Sequence, residues 1–98
     1  MSEHVFYKYS ITIYSNDLAL VHCLRALSQF SQQNGNNRIP WGGTKEADWK
    51  KSANKVTFHF SRPEYREIFQ NEIKRLLPVS LWKEVSTNDN DPAIPQSK

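Results

Sequence analysis

Residues 4–14 alternate in character. Val5, Tyr7, Tyr9, Ile11 and Ile13 fall on one parity, and Phe6, Lys8, Ser10, Thr12 and Tyr14 fall on the other. Period two among β-branched and aromatic residues predicts a long half-buried strand with its odd-numbered side chains toward a core. Ser15, Asn16 and Asp17 follow, with the short acceptor side chains that cap a helix. Leu20, Cys23, Leu24, Leu27 and Phe30 then recur at helical spacing. This predicts a helix over about 16–34 with that stripe inward and Arg25, Gln29 and Gln32 outward. Gly35 supplies its C-terminal stop.

Residues 36–54 have no such clear period. Arg38-Ile39-Pro40-Trp41 reads as a short extended piece before Gly42-Gly43, and Thr44–Ser52 suits one or two helical turns. Alternation returns over 54–61, where Val56, Phe58 and Phe60 oppose Thr57 and His59. Ser61-Arg62-Pro63-Glu64 has the form of a capping box with proline in the first turn. The helix it opens would place Tyr65, Ile68, Phe69, Ile73 and Leu76 on one face, and Pro78 would end it. Residues 79–86 predict a last strand with Leu81 and Val85 toward the core and Trp82 and Glu84 away from it. From Thr87 the chain turns polar, so the expected organisation is one domain over 1–86 and a disordered, solvated tail over 87–98.

The resulting order, β-α-β-β-α-β, predicts a ferredoxin-like α+β fold, an antiparallel sheet with two helices on one face. Pro40 is compatible with a second strand lying at the sheet edge. If 36–43 is not a strand, a three-stranded α+β sandwich with the same two helices remains. The topology resembles that of the RNA-recognition motif and of dimeric α/β-barrel proteins. The likeness to the first stops there: Phe58 and Phe60 share the core parity of Val56, and the glycine of its third-strand motif is missing.

Composition narrows the classes. Hydrophobic residues are only 38% of the chain, but five Phe, four Tyr and three Trp make a compact core feasible. No apolar run is long enough to span a membrane, and residues 1–20 lack a signal-peptide pattern. The one cysteine, Cys23, excludes an internal disulfide framework and suits a cytoplasmic setting. A net charge of +3 is compatible with an anionic partner without requiring one.

Two surfaces are candidates. The open sheet face offers Phe6, Tyr14, His59 and Trp82, more apolar than solvent alone needs, and suits a protein partner or a homodimer. The 38–62 segment carries Arg38, Lys45, Lys50, Lys51, Lys55 and Arg62 against Glu46 and Asp48, with Trp41 and Trp49 among them. Cations beside aromatic rings suit nucleic-acid backbones and bases, whereas the blander expectation has the tryptophans anchoring the loop and the lysines keeping it hydrated. No nucleophile–base pair and no metal-ligand spacing occurs, so no cofactor or metal is expected. His59 has no companion ligand in sequence, Cys23 falls on the helix stripe, and Asp89 and Asp91 lack the glycine and distal glutamate of a calcium loop. A small non-enzymatic binding module, for nucleic acid or for a protein, is expected ahead of a dimeric-barrel enzyme using His59.

Overall fold

The computed structural model describes residues 7–32 and 46–92. They form an α+β unit: β1 (Tyr9–Tyr14), α1 (Leu18–Gln32), α2 (Glu46–Lys51), β2 (Lys55–Phe60), α3 (Pro63–Leu76), a 3-10 turn (Val79–Leu81) and β3 (Lys83–Asn88). The three strands make an antiparallel sheet in the order β2-β1-β3, so the first strand is central. The suggested strand at 36–43 lies outside the described residues.

The register of β1 with β2 follows the alternation. Tyr9 faces Phe60, Ile11 faces Phe58 and Ile13 faces Val56. Directly opposed residues share a face, and α1 and α3 cover this one. Ile11, Ile13, Val56, Phe58 and Phe60 are buried there with Leu20, Val21, Leu24, Trp49, Phe69 and Ile73. Phe69 of α3 packs its ring 5.2 Å from Phe58 and 5.3 Å from Phe60, so the β2 aromatics are core residues.

The expected inward stripe of α1 is rotated. Leu20 and Leu24 are buried as expected, but Cys23 is exposed and Phe30 is 63% exposed. Val21, Ser28 and Ser31 take the inner positions. Both serines satisfy their hydroxyls within the helix, Ser28 donating to the Arg25 carbonyl at 2.8 Å and Ser31 to that of Leu27 at 2.8 Å. Small, internally bonded side chains permit the close contact between α1 and α3. Asp17 begins the helix: its carboxylate accepts from Ala19 N and its carbonyl from Val21 N.

The start of α3 lies one residue beyond the expected cap. Arg62, in extended conformation, is the N-cap without a side-chain hydrogen bond, and Pro63 opens the first turn. Proline fixes φ for that turn and so favours the start of the helix there. On its inner face Phe69 and Ile73 are buried, whereas Leu76 is exposed.

The C-terminal part differs most from expectation. Val79–Leu81 is a 3-10 turn and not strand, so β3 starts later and ends later, at Asn88. Every residue of β3 is exposed. The pairing shifts between Thr12 and Ile13, leaving Val85 as the extra residue between Ser86 and Glu84. Glu84 therefore pairs with Ile13 and takes a hydrogen bond from Gln70 of α3, while Leu81 and Val85 are exposed. Thr87 and Asn88 pair with Ile11 and Ser10, and Asp91 N donates to the Lys8 carbonyl at 2.9 Å. The chain thus stays on the sheet beyond the expected boundary at 86; residues 93–98 lie outside the described part.

Candidate functional site

Even-numbered residues of β1 project from the face opposite the helices. The strand pairings order that face into three rows. Tyr14 stands between Lys55 and Lys83, Thr12 between Thr57 and Ser86, and Ser10 between His59 and Asn88. The rows change from cationic and aromatic, through hydroxyl, to histidine and amide along β1.

In the first row both lysines are exposed and Tyr14 is half-buried. Opposed residues on neighbouring strands have Cβ atoms about 4.5–5.5 Å apart. Tyr14 is therefore flanked in the sheet by a lysine residue on each neighbouring strand. In the second row the Thr12 and Thr57 hydroxyls share a 2.8 Å hydrogen bond.

The third row is covered by the chain itself. Asn90 N donates to Asn88 Oδ1 at 2.8 Å, a turn that brings Asp91 back over β1. Asp91 Oδ2 accepts from Ser10 Oγ at 2.9 Å and lies 3.4 Å from His59 Nε2. His59 is only 6% exposed, and burial holds its pKa below the ordinary histidine value despite the opposing pull of the Asp91 carboxylate. On the other side of the turn, Asp89 is paired at 2.7 Å with Arg66 of α3.

Serine, aspartate and histidine meet here in an order unsuited to nucleophilic catalysis. The serine proton is directed at the carboxylate, not at the imidazole, whereas in a serine–histidine–aspartate triad the imidazole takes that proton. Among the described residues no group of three metal-ligating side chains occurs, and no helix is long and apolar enough to cross a membrane.

The residues singled out in the sequence differ in where the fold puts them. Tyr14 and Lys55 meet in one row, and Lys51 is exposed close by in the chain. Lys50 is exposed but engaged with Glu46 at 3.0 Å. Trp49 and Trp82 are structural. Trp49 is 8% exposed and donates from Nε1 to the Ser15 carbonyl at 2.6 Å, while Trp82 packs on the core and donates to the Leu77 carbonyl at 3.3 Å. Trp82 precedes β3 and so is not part of the open face; His59 is on that face but roofed by Asp91. Phe6, Arg38, Trp41 and Lys45 lie outside the described residues.

Sequence reasoning missed Lys83 and Asp91 as members of this face. The bulge that aligns Lys83 with Tyr14 leaves no mark in composition, and counting by two from Ser86 puts Lys83 on the parity of Leu81 and Val85. No family model, curated protein or solved structure matches the chain.

Proposed function

We propose that this domain is a non-enzymatic binding module that holds single-stranded nucleic acid on its open sheet face. The observation that carries this reading is the row Lys55–Tyr14–Lys83, an aromatic ring with an exposed lysine on either side. A ring is a platform for any base, and flanking ammonium groups answer the phosphates on either side of that base. Lys51 extends the positive charge from the same end, and the hydroxyls of Thr12, Thr57 and Ser86 continue the face as donors and acceptors. The contact surface is thus the sheet, with Trp49 supporting it from within the core.

A ferredoxin-like fold belongs to this proposal. Its support is the order β2-β1-β3 among the described strands with both long helices on one face, an order compatible with that sheet. A cytoplasmic setting, supported by the single cysteine, fits the same reading.

The test is anisotropy titration of a labelled single-stranded oligonucleotide over a salt series. Changing Lys55 and Lys83 together to Glu should abolish retention while the circular dichroism stays native. Changing both to Gln should flatten the plot of log K against log salt by about 1.4, the loss expected for two phosphate contacts on a single strand. Unchanged affinity and slope would remove the reading.

A protein-binding role rests on different residues. Leu76, Val79 and Leu81 are exposed together along the junction from α3 to β3, and an apolar patch there suits a partner or a second copy. Light scattering that gives a dimer dispersed by Val79→Lys would favour this second reading.

A further inference from the structure

We propose that residues 88–92 form an intrasteric strap: the Asp91 carboxylate occupies an anion-holding notch built by Ser10 and His59, and its displacement opens that notch to a phosphate of the bound strand. The second half of this statement rests on the nucleic-acid reading, and the notch itself does not.

Two donors converge on one oxygen. Ser10 Oγ donates to Asp91 Oδ2 at 2.9 Å, and His59 Nε2 lies 3.4 Å from the same atom. A phosphate oxygen is an acceptor of the same kind as a carboxylate oxygen, so donors arranged for one suit the other. Ser10 and His59 are 3% and 6% exposed, whereas the Asp91 side chain is 44% exposed. The donors are roofed and the roof faces solvent.

The ties of the strap are few and polar. Asp91 N bonds the Lys8 carbonyl, Arg66 donates to the Asn88 carbonyl and pairs with Asp89, and within the strap Asn90 N bonds Asn88 Oδ1. The whole of β3 is exposed, and none of residues 88–92 is buried. A segment with so little apolar burial opens at a small fraction of the global unfolding cost.

Position links the notch to the basic row. Ser10 precedes Tyr14 by four residues on β1, which at strand rise sets them about 13 Å apart on one face. A strand seated on Tyr14 and running along β1 would present a phosphate over Ser10, where Asp91 now opposes it with like charge.

The test uses the full chain with two probes, inorganic phosphate and a short labelled oligothymidylate, on the wild type, Asp91→Asn and Asp91→Ala. Phosphate should shift the His59 ring resonances in Asp91→Ala and leave them unmoved in the wild type. The oligonucleotide should bind Asp91→Ala about five- to tenfold more tightly than wild type, the effect of removing one opposed charge near contact, with Asp91→Asn also tighter. Should alanine loosen the sheet, Asp91→Asn, which keeps the shape of the side chain, decides by the same readouts. Equal oligonucleotide affinity in all three proteins, with His59 insensitive to phosphate, overturns the strap and leaves the basic row intact. Phosphate moving His59 in Asp91→Ala without oligonucleotide binding anywhere upholds the notch and discards the nucleic-acid reading.

Discussion

Trp49 Nε1 donates a 2.6 Å hydrogen bond to the carbonyl oxygen of Ser15 within the core. Ser15 N donates in turn to Asn54 O, its hydroxyl donates to Leu81 O at 2.7 Å, and the same hydroxyl accepts from Asp17 N. One buried serine thus joins the end of β1 to α1, to the 3-10 turn and to the α2–β2 junction. At that junction Ala53 and Asn54 have positive φ, and Asn54 N closes α2 onto the Trp49 carbonyl. Lys55 and Lys83 leave this knot on either side of Tyr14, so its rigidity sets the geometry of the basic row.

Trp49→Phe keeps the ring and loses the donor, leaving the Ser15 carbonyl without its indole partner. That should lower the unfolding free energy by about 1–3 kcal/mol, and Trp49→Ala by about 3–5 kcal/mol as a cavity forms. Urea denaturation checks both. A solvated, base-stacking Trp49 would instead make the two changes nearly neutral for stability.

Phe30 and Leu24 separate the observed orientation of α1 from the one its apolar residues suggest. Phe30→Ser should stay within about 0.5 kcal/mol of wild type because the ring is exposed. Leu24→Ala should cost about 2–5 kcal/mol. Thermal melts of the two variants provide the comparison, and a Phe30→Ser loss as large as that of Leu24→Ala would place the phenyl ring inside.

The contrast between α1 and the strands marks what the chain discloses by itself. In β1 and β2 a period of two admits one inward face, so Ile11, Ile13, Val56, Phe58 and Phe60 were legible. In α1 two buried serines read as polar surface, because nothing local reveals that each hydroxyl bonds the preceding turn. The β3 register was hidden by a bulge, and Leu81 and Val85 suggested a core strand where the sheet edge is solvated. Of the candidate site, Tyr14 and Lys55 were legible from strand parity and charge. Asp91 was not, since its partners Ser10 and His59 are distant in sequence and acidic tails ordinarily stay in solvent.

Stability should rise with pH through the histidine range. Burial lowers the His59 pKa in the folded protein, with Asp91 pulling the other way; among the described residues Lys8, Arg66 and Asp89 also carry charge at this end. Between the folded value and the ordinary value of about 6.5, the unfolded chain binds more protons. The contribution is therefore present above about pH 6.5 and is lost as pH falls from there toward the lower folded value, with no further change below it. Urea midpoints should decline from pH 7.5 to pH 5.5 in the wild type and decline less in His59→Gln. Matching slopes in the two proteins would assign the effect to other groups.

Arg66 ties the end of β3 to the rest of the sheet. Its guanidinium donates from Nη1 to the Ser10 and Asn88 carbonyls, each at 3.2 Å, and pairs through Nη2 with Asp89 at 2.7 Å. The side chain is 14% exposed, so these bonds are sheltered relative to the surface pairs Lys50–Glu46 and Arg75–Glu72. A lysine there keeps the charge but has one ammonium in place of a planar fork, and cannot serve partners spread over two strands and a turn. Arg66→Lys should cost about 1 kcal/mol or more, and Arg66→Ala about 1.5–3 kcal/mol, the range for hydrogen bonds to a charged group. The local consequence is the sharper test. The Asp91 amide, bonded to Lys8, should exchange with deuterium much faster in both variants, while the β2 amides that pair with β1 keep their protection relative to global stability. Uniform acceleration across β2 and β3 would mean that Arg66 supports the whole sheet and not its C-terminal strap.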